Sequence, residues 1–258
     1  MEKKRNNTKK DIELKISDIP NKIYIPELNS DNYIPTINVI GCGGTGSYVL
    51  SNLARINYTL KLLGRPGFHV TAIDNDVVSE YNIGRSMFSP VDIGQKKSVV
   101  LINRINRFYG FDFSVSSDDK FDCNILISCV DSIKSRIKIH KGYFLTNNIT
   151  DYKKQYVLID CGNSDYQSHC SYQITGNPTI LDLFTHRNNG VLPKDDKTAP
   201  SCSMQEALLR QSMNINMGVG LMVSKLIEDT FDMGVKYNFL ELNLETFTTN
   251  KFNLSWEN

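Results

Sequence analysis

The residues best suited to chemistry are glycines, carboxylates and cations concentrated in the first half of the chain. The stretch 36–47, TINVIGCGGTGS, carries Gly41, Gly43, Gly44 and Gly46 with the spacing G-x-G-x-x-G. Glycine tolerates positive φ, lets backbone approach a phosphate closely and lets a helix pack tightly on its strand, so such a turn delivers a helix N-terminus to a nucleotide. The spacing alone does not choose the ligand. Dehydrogenases, flavoproteins, methyltransferases and nucleotide-transfer enzymes share it, and a glycine-rich tight turn without a ligand is the plain alternative. Asp74 ends HVTAID (69–74), at the strand tip where a Rossmann-like domain meets a ribose hydroxyl. From Gly46 to Asp74 is longer than the ~20 residues of a compact dinucleotide fingerprint, so a plain NAD site fits imperfectly. The segment 74–97, DNDVVSEYNIGRSMFSPVDIGQKK, then gathers Asp74, Asp76, Asn82, Arg85, Gly94 and Lys97 between a strand and a helix. It reads either as a solvated loop or as the ligand-binding loop at the carboxyl end of a parallel strand. Asp131 follows CNILISCV (123–130) as a further acid at a strand tip, with a helix cap as its plain alternative. Cys202 precedes a helical stretch, where a helix N-terminus would lower its pKa; the alternative is a small loop or capping residue. His186, in the loop before it, is most simply a loop histidine.

Strands and helices must alternate to place these residues. A β-branched strand begins at Thr36, and Val49, Leu50, Leu53 and Ala54 mark one face of a helix over 48–56. Further strands are expected at 69–74, 123–130, 156–161, 168–175 and 238–247, with helices over 99–108, 132–144 and 204–231. His140 reads as a packing or surface residue of the third helix. The long polar segment 177–201, with Pro178, Gly190, Pro193 and Pro200, is a loop of functional length. Residues 1–17 carry Lys3, Lys4, Arg5, Lys9 and Lys10 with few apolar residues, and 18–35 contain Pro20, Pro26 and Pro35. The expected organisation is therefore a basic arm and lead-in (1–33) followed by one folded domain (34–258).

At 258 residues the chain buries a core without metal or disulfide staples. Its 29 Lys and Arg nearly balance 28 Asp and Glu, and a net charge of +1 argues against direct nucleic-acid binding as the main task. No apolar run approaches a membrane span and the N-terminus lacks a signal-peptide core, so no membrane association and a cytoplasmic location are expected. The six cysteines, Cys42, Cys123, Cys129, Cys161, Cys170 and Cys202, include no C-x-x-C pair, so neither structural zinc nor a disulfide framework is expected.

Taken together, GCGGTG (41–46), D-x-D-x-V followed by N-x-x-R (Asp74 to Arg85), I-G-x-x-K (93–97) and S-C-V-D (128–131) resemble the ThiF/MoeB-like, ubiquitin-activating-enzyme-like adenylyltransferases. The ending PSCS-x-x-EAL-x-x-Q (200–211) is similar to ThiF-type proteins of PRTRC gene cassettes. The resemblance implies an α/β, Rossmann-like domain with a mainly parallel central sheet, helices on both faces, antiparallel strands in the C-terminal part and a crossover loop at about 177–203. It implies ATP-dependent activation of the C-terminal glycine carboxylate of a small ubiquitin-like β-grasp protein, with release of pyrophosphate, and a homodimer. By resemblance, Gly41, Gly43, Gly44 and Gly46 form the floor of the site and Asp74 binds the ribose. Asp76 lines the nucleotide site, Asn82, Arg85 and Lys97 contact the phosphates, Asp131 holds Mg²⁺, and Cys202 accepts the acyl group as a thioester. Such chemistry brings anions together, which demands cations and a metal clamp.

Two departures stand out. Many relatives have Arg-Gln where this chain has Arg85-Ser86, and nothing in 1–35 reproduces the N-terminal segment that sends an arginine into a partner's site. They motivate a second reading, a nucleotide-binding module that docks a β-grasp partner without catalysis. A third, an NAD-dependent oxidoreductase, leaves Arg85, Lys97 and Asp131 without a role.

Overall fold

The computed structural model describes residues 22–118, 121–146, 155–174 and 211–252. The elements run β1 (Thr36–Ile40), α1 (Gly44–Leu62), β2 (His69–Ile73), α2 (Lys97–Tyr109), β3 (Ser114–Ser116), β4 (Ile125–Ser128), α3 (Ile133–Thr146), β5 (Val157–Asn163), β6 (Gln167–Ile174), α4 (Ile215–Thr230), β7 (Phe239–Asn243) and β8 (Thr248–Phe252). They build one eight-stranded sheet in the order β3-β2-β1-β4-β5-β6-β7-β8. The β1–β2, β1–β4, β2–β3 and β4–β5 pairs are parallel, and β6, β7 and β8 follow antiparallel.

Strand order reverses between β1 and β4, and a crevice opens at the carboxyl ends of strands at such a point. This is a Rossmann-like α/β fold with antiparallel C-terminal strands, as the motifs implied.

The apolar alternation of the strands divides the core. Ile37, Val39, Val70, Ala72, Ile125 and Ile127 pack with α1, α2 and α4 on one face. Ile40, Ile73, Leu126 and Leu158 pack with Ile139 and Tyr143 of α3 on the other. Because side chains alternate across a strand, both faces of β1 and β4 are apolar only when helices cover both. The first helix ends where Gly64 takes φ +77°, and α2 ends at Gly110, φ +71°, whose N–H reaches the Asn106 carbonyl at 2.8 Å. Ahead of β1, Ile23 bridges Val235, and Ile25 and Leu28 are buried in the core.

Three segments differ from the sequence expectation. The strand expected at 238–247 stops at Asn243, whose Oδ1 accepts the N–H groups of Glu245 (2.9 Å) and Thr246 (3.1 Å); this Asx turn reverses the chain into β8. Phe247 in that turn has φ +55°. β3, polar and three residues long, carries no periodic pattern and was not foreseen. The last helix begins at Ile215, and 204–210 lie outside the described residues. Among the described residues, no helix is long and apolar enough to cross a membrane.

Ile127 is fully buried in β4 at the centre of the sheet. Ile127→Ala is expected to cost about 2–5 kcal/mol, seen in denaturant unfolding as a lower midpoint with an unchanged slope.

Candidate active site

The glycine turn is shaped by close approach. Gly41 takes φ +92°, and a Cβ there would lie 2.8 Å from the Cys129 carbonyl oxygen. A Cβ on Gly46 would lie 1.8 Å from the Gly41 oxygen. These glycines let β1 run beside the end of β4 and let α1 start immediately above it. Gly44 abuts the Asn216 side chain, whereas nothing lies within 4 Å of a Cβ built on Gly43. The space beside Gly43 is open, and Gly43 caps α1 without any side-chain hydrogen bond, so no side-chain cap occupies the start of the helix.

Asp74 clasps this turn. Its carboxylate accepts the Cys42 N–H at 2.6 Å and the Asp76 N–H at 2.8 Å, while its carbonyl accepts the Ser98 hydroxyl at 3.0 Å. One acid thereby ties the glycine turn to the following loop and to the start of α2. Its oxygens still have lone pairs for a ligand hydroxyl.

Lys97, the first residue of α2, pairs with the Asp76 carboxylate at 3.0 Å, and its side chain is only 12% exposed against 73% for Asp76. A cation at a helix N-terminus opposes the helix dipole, so this placement works against local stability and points to a need for positive charge there.

The loop 74–97 is built, not merely solvated. Asn82 accepts the Ser79 N–H at 2.9 Å in a capping box on a 3-10 turn at Glu80–Asn82, so its carbonyl end is committed to the loop itself. A second capping box joins Ser89 and Asp92 (2.7 Å), and Arg104 pairs with Asp92 at 2.8 Å. Burial pushes the Asp92 carboxyl up, but the Ser89 backbone N–H, the Arg104 guanidinium and the Ser89 hydroxyl outweigh it and hold Asp92 below its ordinary value. The Met87 N–H donates to Ser47 Oγ at 3.1 Å, tying the loop to α1.

Arg85 is held at both ends. Its guanidinium donates to the Gln211 side-chain oxygen, and its carbonyl accepts the Asn216 amide at 3.3 Å. Asn216, itself buried, also accepts from Thr45 Oγ1 (3.1 Å) and Asn163 Nδ2 (2.7 Å). Burial draws the Arg85 pKa below its ordinary value.

Asp131 is exposed just beyond the tip of β4, the strand that pairs with β1. The backbone before it is fixed by the Cys129 N–H to the Ile40 carbonyl (2.8 Å) and by Arg136, which donates to the Val130 carbonyl at 2.8 Å. Arg136 in turn pairs with Asp160 at 2.6 Å, both nearly buried. Burial raises the Asp160 carboxyl, opposed by the Arg136 charge.

The structure thus brings Gly41, Gly43, Gly44, Gly46, Asp74, Asp76, Arg85, Lys97 and Asp131 to one end of the sheet, with Asn82 serving the loop. Cys202, His186 and the expected crossover loop lie outside the described residues. Among the described residues, no three side chains of metal-ligating type gather. Cys42 and Cys123 behave as packing residues: burial and then the Asp74 charge push Cys42 well up, and burial takes Cys123 to about 12. Sequence reading missed Asn216, Gln211 as an Arg85 partner, and the Arg136–Asp160 pair. The available signals were an asparagine at the start of an apolar helical stretch and an acid inside the run VLIDCG.

A glycine turn, strand-tip acids and anchored cations meet at the switch point of a Rossmann-like α/β domain. The sequence pattern of the ThiF family matches residues 35–258, and the chain belongs to that family. The fold is shared with E. coli MccB solved with AMPCPP and MccA, at 14% identity over 86% of this chain and 64% of that one, TM-score 0.58. E. coli MccB with ATP gives 15% identity over 87% and 64%, TM-score 0.57, and PaaA gives 14% over 86% and 65%, TM-score 0.59. The chain spans 64% to 65% of the length of these proteins. No curated protein matches the sequence.

The Asp92 clasp makes the loop sensitive to acid. Because its folded pKa lies below the ordinary 3.8, Asp92 contributes stability above that pH and loses it as pH falls through the folded value. Asp92→Asn is expected to cost about 1 kcal/mol at neutral pH, and the gap to the native chain should close in acid unfolding titrations below pH 3.8.

Proposed function

We propose that the protein is an ATP-dependent adenylyltransferase that activates the C-terminal glycine carboxylate of a small ubiquitin-like β-grasp partner. The observation that carries this reading is the convergence of the open α1 N-terminus, Asp74, and the cations Lys97 and Arg85 on one crevice. That arrangement suits a polyphosphate. A carboxylate oxygen attacks the α-phosphorus, the bond to the bridging oxygen of the β-phosphate breaks, and pyrophosphate leaves an acyl-adenylate. Asp74 takes the ribose hydroxyl, while Asp76 places Lys97. Lys97, Arg85 and the remaining amide donors of Asn82 offset the charge that gathers as two anions meet. MccB has been solved with ATP, with AMPCPP and with MccA, which supports nucleotide and partner binding in this fold.

Asp131, an exposed carboxylate at the crevice, suits Mg²⁺, which is typically held by one or two carboxylates together with phosphate oxygens and water. Bound there, Mg²⁺ would supply Lewis-acid neutralisation of the phosphates. Cys202 is proposed to accept the acyl group: its thiolate attacks the acyl carbon, and AMP leaves. The active form is proposed to be a cytoplasmic homodimer.

One observation favours the non-catalytic docking reading: both Lys97 and Arg85 are already engaged by protein groups. Pyrophosphate exchange separates the two. With Mg-ATP and a small β-grasp protein ending in glycine, partner-dependent exchange of labelled pyrophosphate into ATP is expected, and Arg85→Ala and Asp131→Ala should each lower it about 10²–10³-fold. ATP binding without exchange supports docking alone, and preference for NADH over Mg-ATP supports an oxidoreductase. A thiol-sensitive adduct that persists in Cys202→Ala rules out Cys202 as acceptor.

A further inference from the structure

We propose that Gln211 is a positioning residue that aims the Arg85 guanidinium at the phosphates of ATP while leaving its charge intact. The inference rests on the reading that this crevice binds ATP.

The charges around the site divide into two kinds. Lys97 meets Asp76, Arg104 meets Asp92, and Arg136 meets Asp160, so each of these cations faces a carboxylate. Arg85 is held by a neutral amide, its guanidinium donating to the Gln211 side-chain oxygen. A carboxylate in that place would cancel the charge and occupy two donors in a bidentate pair. An amide oxygen fixes the side chain by a hydrogen bond and leaves the cation and its other N–H groups for a polyanion.

Gln211 is itself anchored. The N–H of the next residue, Ser212, donates to the Asp165 carbonyl at 2.9 Å, and the Ile215 N–H returns to Ser212 at 3.1 Å, closing the turn into α4. One residue further, Asn216 grips the Arg85 carbonyl, Thr45 and Asn163. The backbone and the side chain of Arg85 are therefore set by the same short segment, and that segment also lies against Gly44 of the glycine turn. Two independent contacts from one turn reduce the freedom of a long side chain before any ligand arrives, which is preorganisation. Because Gln211 acts through Arg85, its effect must appear only where phosphate is read.

Calorimetric titration of the full chain with Mg-ATP and with adenosine, which has the base and ribose but no phosphate, tests this. Gln211→Ala is expected to weaken Mg-ATP about 3- to 10-fold and to leave adenosine unchanged. Gln211→Glu, which keeps the size but pairs a carboxylate with Arg85, is expected to weaken Mg-ATP by about tenfold or more without lowering the melting temperature. In Arg85→Ala, the further change Gln211→Ala should have no effect, as a shared pathway requires. If Arg85→Ala weakens Mg-ATP and both Gln211 variants bind as the native chain does, the Gln211 inference falls and the functional reading stands. Additive losses in the double variant, or equal losses for ATP and adenosine, also overturn the inference. Failure of the native chain to bind Mg-ATP overturns both.

Discussion

The structure depends on how closely β1 and β4 approach at their carboxyl ends. A side chain at Gly41 would press on the Cys129 carbonyl beyond β4, and one at Gly46 would press α1 away from the Gly41 carbonyl. The consequence reaches beyond packing. The same turn brings the Cys42 N–H within reach of the Asp74 carboxylate. The acid is bound by the turn it stabilises, so the Asp74 carboxylate and the start of α1 form one corner. Asp131 follows β4, the strand whose end Gly41 approaches.

Around that corner the protein separates structural charge from available charge. Arg136 and Asp160 neutralise one another beneath the β4 tip, and Arg104 and Asp92 lock the far side of the 74–97 loop. The buried Arg136–Asp160 pair is costly to break and contributes little net stability, but it fixes geometry, whereas Arg104 remains about half exposed. Lys97 lies between the two classes, held by an exposed carboxylate on the loop. An anion brought to Lys97 would have to compete with Asp76 in a partly solvated setting. The loop that looked in sequence like a mixture of charges is a frame that assigns each a different task.

Much of this was legible in the chain, for a physical reason. The glycines, the acids at Asp74 and Asp131, and the basic residues Arg85 and Lys97 lie within one continuous stretch, and strand and helix periodicity is enough to set them at one end of a parallel sheet. What was not legible comes from afar or from polar local bonding. Asn216 and Gln211 reach Arg85 across 131 and 126 residues, and no local pattern encodes such a contact. The Asn243 turn that makes β8 depends on side-chain hydrogen bonds to the backbone, which an alternating apolar pattern does not record. The two capping boxes were present as Ser-x-x-Asn and Ser-x-x-Asp, but they were not read as turns within a loop.

The packing of α4 on α1 has a consequence for how the molecule is made. Gly220 lies against Tyr48, and Asn216 against Gly44, so the wall of the crevice contributed by the end of the chain closes on a helix synthesised near its beginning. As the chain leaves the ribosome, β1 to β5 can pair in sequence, yet one apolar face of α1 stays uncovered until residues 215–230 follow. Contacts of such sequence separation form late and slowly. The corner at the glycine turn is consequently incomplete until α4 has been made, and a chain interrupted before α4 would hold the motifs without the wall that closes on them.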